Sequence, residues 1–271
     1  MLFGTVGENG MIYITGDTHN TIDMHHLSAK WMRRYCFLQG AKYSEVTEAI
    51  VLGDFGLPWE DCPVDENGIH PVDKSDKYLL DWYNKKPFKV LAVMGNHDNY
   101  NMLEKLPQAE MYGDKVLKVS ENVFYLIRGH IYNIQGKSFL VLGGAQSQDK
   151  SRRTLDKDLW AQEEWTSEEE DACISRIEKF GKAFDFVLSH TGPLSGISCI
   201  ESSCDYSEYA AAFREDSNVR FNDRIDGMIS YKRWFFGHWH ENWGYDHRNQ
   251  SRYIPLYTEG VVVEKLAELK S

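Results

Sequence analysis

Long apolar runs, blocks of basic residues and paired cysteines are all missing from this 271-residue chain. No run approaches the length of a membrane span, so no membrane partner is expected. Met1 to Gly16 lack a basic stretch followed by an apolar core and a small-residue cleavage site, so no secretion signal is expected and the protein is read as soluble and cytoplasmic. No Lys/Arg block stands out among 30 basic and 41 acidic residues, and the net charge of -11 argues against an extended duplex nucleic-acid footprint. It leaves a phosphate-bearing substrate open, because bound divalent ions reverse the sign locally. The cysteines Cys36, Cys62, Cys173, Cys199 and Cys204 are odd in number and include no Cys-x-x-Cys pair, which fits reduced thiols better than a disulfide framework. Repeats, low-complexity tracts and Pro/Gly/Ser-rich linkers are absent too, so residues 1–271 are assigned to a single domain.

What is present is a series of short apolar runs, most of them closed by glycine or by a polar residue. Met11 to Thr15, Ala49 to Leu52, Val90 to Met94, Phe139 to Leu142, Phe184 to Leu188 and Trp234 to Phe236 have the length and continuity of strands buried on both faces. Helical spacing lies between them at His25 to Gly40, Lys74 to Lys85 and Asn101 to Leu106. A further helix opens at Thr166-Ser167-Glu168, with Ile174, Ile177 and Phe180 on one stripe. Alternation of strand and helix predicts an α/β layered fold. Val123 to Ile127, Ile131 to Ile134 and Ser138 to Leu142 read as an antiparallel meander forming a second sheet.

Five segments behind these runs carry chemistry: Gly16-Asp17-Thr18-His19, Gly53-Asp54, Gly95-Asn96-His97-Asp98, Ser189-His190-Thr191 and Gly237-His238-Trp239-His240. Each falls where a strand hands over to a loop, the end at which α/β sheets bind ligands. Asp, His and Asn are hard or borderline metal ligands. A two-metal hydrolytic centre needs one carboxylate to hold ions about 3.5–4 Å apart, and imidazoles and a neutral oxygen to complete the shells. Asp54 is the candidate bridge, with Asp17, His19, Asn96, His190, His238 and His240 as the other ligands. Residues two apart on an extended segment point the same way, so Asp17 with His19, and His238 with His240, are expected to face one cavity. Singly, each motif is as well explained by a turn residue, a helix cap or a structural histidine. The order and position of all five together favour the metal centre. His25, His26, His70, His130 and His247 lie outside the motifs and are read as non-ligands, with His70, in its acidic loop, as the one exception that could reach the site from above.

The series Asp-x-His, Gly-Asp, Gly-Asn-His-Asp, His and Gly-His-x-His, spanning residues 16 to 240, resembles the calcineurin-like metallophosphoesterase superfamily. The resemblance implies a four-layer αββα sandwich of two mixed β-sheets flanked by helices. It implies that Asp17, His19 and His240 hold one metal, that Asn96, His190 and His238 hold the other, and that Asp54 bridges them. It implies two divalent ions, manganese first and iron, zinc or nickel as alternatives, activating a hydroxide that attacks phosphorus. His97 then protonates the leaving oxygen or steadies the transition state, with Asp98 orienting it.

The protein phosphatase branch continues its second motif as Gly-Asp-x-Val-Asp-Arg-Gly. Here Leu57 and Pro58 stand at the Asp and Arg positions, and the third motif ends in Asp98 rather than Glu. The chain therefore resembles bacterial and phage-type branches more. A phosphodiesterase or nucleotide-type phosphoesterase acting on a small substrate is the leading expectation. A phosphomonoesterase or protein phosphatase, or a non-catalytic metal-binding regulator, is the alternative. Arg152 and Arg153, after Gly143-Gly144, are the expected substitute for the missing phosphate-binding arginine, against a reading as solvated loop charges balancing Asp156 and Asp158. Insertions at 59–77 and 197–226, the latter with Tyr206, Tyr209, Phe213 and Arg214, are expected to cap the site or to be surface excursions. Trp59, Trp239 and Trp243 are candidates for stacking a base, with core packing as the other explanation.

Overall fold

The computed structural model describes residues 10–201, 216–242 and 251–267. Every apolar run identified above overlaps a strand, with Leu52, Val93 and Met94 falling just past the strand ends. The strands are β1 (Met11–Thr15), β2 (Val46–Val51), β3 (Val64–Asp65), β4 (Gly68–Ile69), β5 (Lys89–Ala92), β6 (Gln108–Met111), β7 (Asp114–Lys118), β8 (Val123–Leu126), β9 (Ile131–Ile134), β10 (Lys137–Leu142), β11 (Ala183–Ser189), β12 (Ser230–Phe236), β13 (Tyr253–Pro255) and β14 (Gly260–Val262). Helices are α1 (Ala29–Leu38), α2 (Lys74–Asn84), α3 (Tyr100–Leu103), α4 (Ser167–Phe180), α5 (Leu194–Glu201) and a last one at Ser217–Asp226.

Two mixed sheets face one another. One runs β14-β1-β2-β5-β8-β7-β6 and the other β13-β12-β11-β10-β9. Within the first, β1, β2, β5 and β8 are parallel, in register through Ile14 with Ile50, Ile50 with Leu91 and Leu91 with Phe124. Alternation along each strand decides which layer a side chain enters. Ile12, Ile14, Ile50, Leu91, Phe139, Val141, Phe186, Leu188 and Phe235 fill the space between the sheets. Tyr13, Ala49, Val51 and Val90 point the other way, onto Met32 of α1 and Leu79 and Tyr83 of α2. Leu140, Leu142, Val187, Trp234 and Phe236 pack on Cys173 and Ile177 of α4 and on Phe221 and Ile225 of the last helix. Helix, sheet, sheet and helix layers result, and burial on both faces explains why the strands read as continuous apolar runs.

The meander expected over 123–142 is not one unit. β8 lies in the seven-stranded sheet, parallel to β5 and antiparallel to β7, while β9 and β10 form a hairpin in the five-stranded sheet. Arg128-Gly129-His130 therefore carries the chain between sheets instead of turning a hairpin. Buried Arg128 anchors this crossing by donating to the Gln162 carbonyl and the Glu169 carboxylate. Helix α4 starts as expected, with Thr166 and Glu169 capping each other. The segment expected to be helical from Asn101 to Leu106 makes a single turn, capped by Asn99 and ended before Pro107.

Candidate metal centre

β1, β2 and β5 of one sheet and β11 and β12 of the other end at one edge of the sandwich, and the five loops that follow them meet there. The loops are tied to each other before any side chain is considered. Thr18 and His19 N–H donate to the Asp54 carbonyl at 3.3 and 2.7 Å, Gly237 N–H donates to the His190 carbonyl, and His97 N–H donates to Asp54 Oδ1 at 2.7 Å. Glycine is required where these loops touch: a Cβ on Gly95 would collide with Asp54, and one on Gly237 with the Asp17 carboxylate.

Donor atoms of Asp17, His19 and His240 lie within 4.8 Å of one another, and so do those of Asp54, His190 and His238. His240 Nε2 is 3.3 Å from Asp17 Oδ2, and His19 Nε2 is 3.4 Å from Asp54 Oδ2. His190 Nε2 sits 3.1 Å from Asp54 Oδ1 and 3.0 Å from Asn96 Oδ1. Asn96 Nδ2 donates to the Ser147 hydroxyl, which turns the amide oxygen toward His190. All seven predicted ligands are thus at one place. The spacing argument for Asp17/His19 and His238/His240 needs correction, however. His19, Asp54, His238 and His240 all have positive φ, between 43° and 67°, so left-handed turns rather than extended segments aim them inward. Such residues outside the usual regions collect at functional sites, where surrounding bonds hold them in place.

The histidines are oriented from behind. His190 Nδ1 donates to the Leu52 carbonyl at 2.7 Å, and His19 Nδ1 meets Asp23 Oδ2 at 3.1 Å, turning both Nε2 atoms toward the cavity. Asp23 also accepts from the Tyr257 hydroxyl, whose ring stacks on His240 at 4.3 Å. His26 Nδ1 donates to the Asp17 carbonyl. Sequence reasoning missed Asp23, His26 and Tyr257. Asp23, four residues beyond His19, had only that spacing as a signal, and Tyr257 had none. Asp23, His25 and His26 also cluster, but the contacts of Asp23 and His26 make them a support for the first ligand group.

These residues suit a cation. His238 Nε2 is buried without a hydrogen-bond partner, beside the acid and the imidazole of its group. Burial opposes charge on His19 and His190, yet Asp54 and Asp17 push these imidazoles up to about 9 and about 10. Burial also works against the Asp54 anion, but the charge of His190 and the hydrogen bonds from His19 and His190 hold its carboxyl well below the ordinary value. Two buried carboxylates make the pocket strongly attractive to positive charge, and an Asp, His and Asn donor set matches divalent manganese, iron, zinc or nickel.

His97 and Asp98 face different ways. The Asp98 carboxylate accepts from Gly56 N–H, Gly95 N–H and the Tyr125 hydroxyl at 2.7–2.8 Å, and it does not meet the His97 ring. The expected orienting contact is therefore absent, because adjacent side chains on this loop diverge. Asp98 fastens the Gly53 and Gly95 loops together, and burial raises its carboxyl to about 6 despite three bonds. The group on His97 is Arg153, whose two terminal nitrogens lie 3.0 and 2.9 Å from the ring nitrogens. Burial lowers the His97 pKa, Asp54 partly offsets this, and Arg153 lowers it further. Arg153 is held by Asp149 and the Asp158 carbonyl. Arg152 is exposed and its side chain makes no bond among the described residues, so the two arginines paired in the sequence separate in space.

Of the insertion at 59–77, Trp59, Glu60, Asp73, Ser75 and Asp76 line a cavity shared with His19 and His97. In the insertion at 197–226, residues 202–215 lie outside the described residues, together with Cys204, Tyr206, Tyr209, Phe213 and Arg214. Trp239 packs with Ile197 and Val219, while Trp243 and His247 are outside the described residues. No helix among the described residues is long and apolar enough to cross a membrane. A family model described as calcineurin-like phosphoesterase matches residues 10–242. Among curated proteins no match was found.

Proposed function

The chain belongs to the calcineurin-like phosphoesterase family, and from that premise we propose that it hydrolyses phosphodiester or nucleotide-type phosphate bonds at a dinuclear metal centre, with manganese as the first-choice ion. The observation that carries this reading is the convergence of the Asp17, His19 and His240 donors beside those of Asp54, His190 and His238. Asp17, His19 and His240 would hold one ion, Asn96, His190 and His238 the other, and Asp54 both. Bound there, the ions supply Lewis-acid activation of water and of the phosphoryl oxygens.

The chain's own groups do the rest. Arg153 presents a guanidinium beside the centre, where the phosphatase-type arginine is replaced by Pro58, and it binds a phosphoryl oxygen. His97, kept neutral by burial and by Arg153, donates a hydrogen bond from its ring to the leaving oxygen. One cation of this kind suits the single charge of a diester better than the double charge of a monoester. The wall formed by 59–77 acts as part of a cap over the substrate.

Manganese-loaded protein is expected to turn over bis-p-nitrophenyl phosphate faster than p-nitrophenyl phosphate, to lose that activity in EDTA and to regain it with manganese. Full turnover in EDTA would refute the metal centre, and turnover of the monoester alone would refute the diester preference.

A further inference from the structure

Beside the metal centre, the loops after β1 and β2 and the start of α2 enclose a cavity of about 510 Å³, with His19 and His97 on its inner wall. That volume lies within the range of small-molecule sites. Its lining is unlike that of a phosphate site. Glu60, Asp73 and Asp76 contribute carboxylates, and none of its lining residues is Lys or Arg. Asp76 is already engaged, accepting from the N–H groups of Trp59 and Glu60 and from Asn20, and Asp73 caps α2. The carboxylate of exposed Glu60 makes no bond among the described residues. Trp59 is the aromatic wall. Its N–H is held by Asp76, its carbonyl accepts from Asn99, and its ring stands edge to face with Trp160 at 5.6 Å. Ile22, 76% exposed, adds an apolar lip.

We propose that this cavity binds one ester substituent of the substrate, a planar, uncharged ring system carrying N–H donors, of the nucleobase class, and that it keeps out a second phosphate. This rests on the phosphoesterase reading given above. A fixed indole edge of the cavity offers a stacking surface that tolerates any base. Free carboxylate oxygens accept from exocyclic and ring N–H groups. The same carboxylates, with no Lys or Arg in the lining, repel an additional phosphoryl group.

Equilibrium dialysis of the manganese-loaded protein tests the proposal without requiring turnover. Uncharged adenosine should bind and uncharged ribose should not. Trp59→Ala should weaken adenosine binding at least tenfold, and Trp59→Phe should restore most of it. Glu60→Lys, a change on the exposed surface that leaves the core intact, should raise the affinity for adenosine 5′-diphosphate relative to adenosine at least tenfold. Adenosine binding that is absent, or unmoved by Trp59→Ala, overturns the proposal, as does an unchanged nucleotide-to-nucleoside ratio in Glu60→Lys. If adenosine binds as described but no phosphoester is hydrolysed, the cavity assignment stands and the catalytic reading falls.

Discussion

At the metal end of the cleft, Asp17, Asp54, Asn96 and His190 are buried, and each is bonded to another loop. At the cavity end, Ile22, Glu60 and Asp73 are exposed, and the wall is built from the loops after β1 and β2 and the first turn of α2. The two ends answer to different requirements. Holding cations demands seven groups at set distances, which only closely interlocked loops provide. Receiving an ester substituent demands a shape and a sign of charge, which many loops can supply. The metal end should therefore fail abruptly when altered, and the cavity end by degrees.

Asp54→Ala is the severest way to break the contrast. Its side chain meets His19, His190 and the His97 N–H, so its loss should abolish stoichiometric manganese binding and lower kcat/KM by at least about 10³-fold. Metal analysis of the purified variant together with a diesterase assay would check both. A variant that keeps two ions would show that the ligand loops tolerate change.

Asp98→Asn asks whether the fastening of the loops matters as much as the ligands. The amide offers one acceptor oxygen where Gly56, Gly95 and Tyr125 all donate, and its NH2 would face N–H groups. Leaving buried donors unpaired costs about 1–3 kcal/mol each, so a lower melting temperature and a metal affinity about 10–100-fold weaker are expected. Unchanged metal affinity at a reduced melting temperature would separate the fastening from the centre.

Proton release measures the electrostatics of the same end without mutation. In the metal-free protein His19 and His190 are raised to about 9 and about 10, so both are protonated near neutral pH and an entering ion must displace those protons. Calorimetry in buffers of different ionisation enthalpy should detect the release, and manganese affinity should rise with pH, about tenfold per unit for each proton displaced. Stability of the metal-free protein runs the other way. Raised folded-state values favour the fold fully below about pH 6.5, and this contribution is lost as pH climbs through about 9 and 10.

The same contrast explains what could be read from sequence. Runs such as Ile12-Tyr13-Ile14 declared doubly buried strands, and Asp-x-His or Gly-His-x-His declared candidate ligands, because both patterns are local. Pairing between distant segments is not local. Val123–Leu126 looks the same whether it joins one sheet or the other, and only its pairing with β5 and β7, distant in sequence from the hairpin that follows, assigns it. Edge strands such as Gln108–Met111, with alternating exposure, lack a continuous apolar run, and three-residue strands such as Tyr253–Pro255 are too short to declare themselves. The resemblance paired Asp98 with His97, but Tyr125, 27 residues on, claims it. Nothing in the chain marks His19 or His238 as left-handed.

Arg152 and Arg153 give the finest division, because neighbours in sequence fall on opposite sides of the boundary between site and solvent. Arg153 has its Nε on Asp149, one terminal nitrogen on the Asp158 carbonyl, and both terminal nitrogens against His97. Arg153→Ala removes the cation beside His97 and the group that holds its ring, so kcat/KM for a diester should fall about 10–100-fold, on the scale of a lost charge-assisted contact to phosphate. Manganese binding should survive, since no ligand is touched. Arg153→Lys should restore only part of the activity, because an ammonium keeps the charge and loses the planar fork. Arg152→Ala, at an exposed position on the adjoining turn, should stay within about twofold of the parent, as surface substitutions away from bonded features usually do. Equal losses in the two variants would mean that the basic turn acts as a diffuse patch. The function proposed above gives the work to one guanidinium, and steady-state kinetics on both variants decides between them.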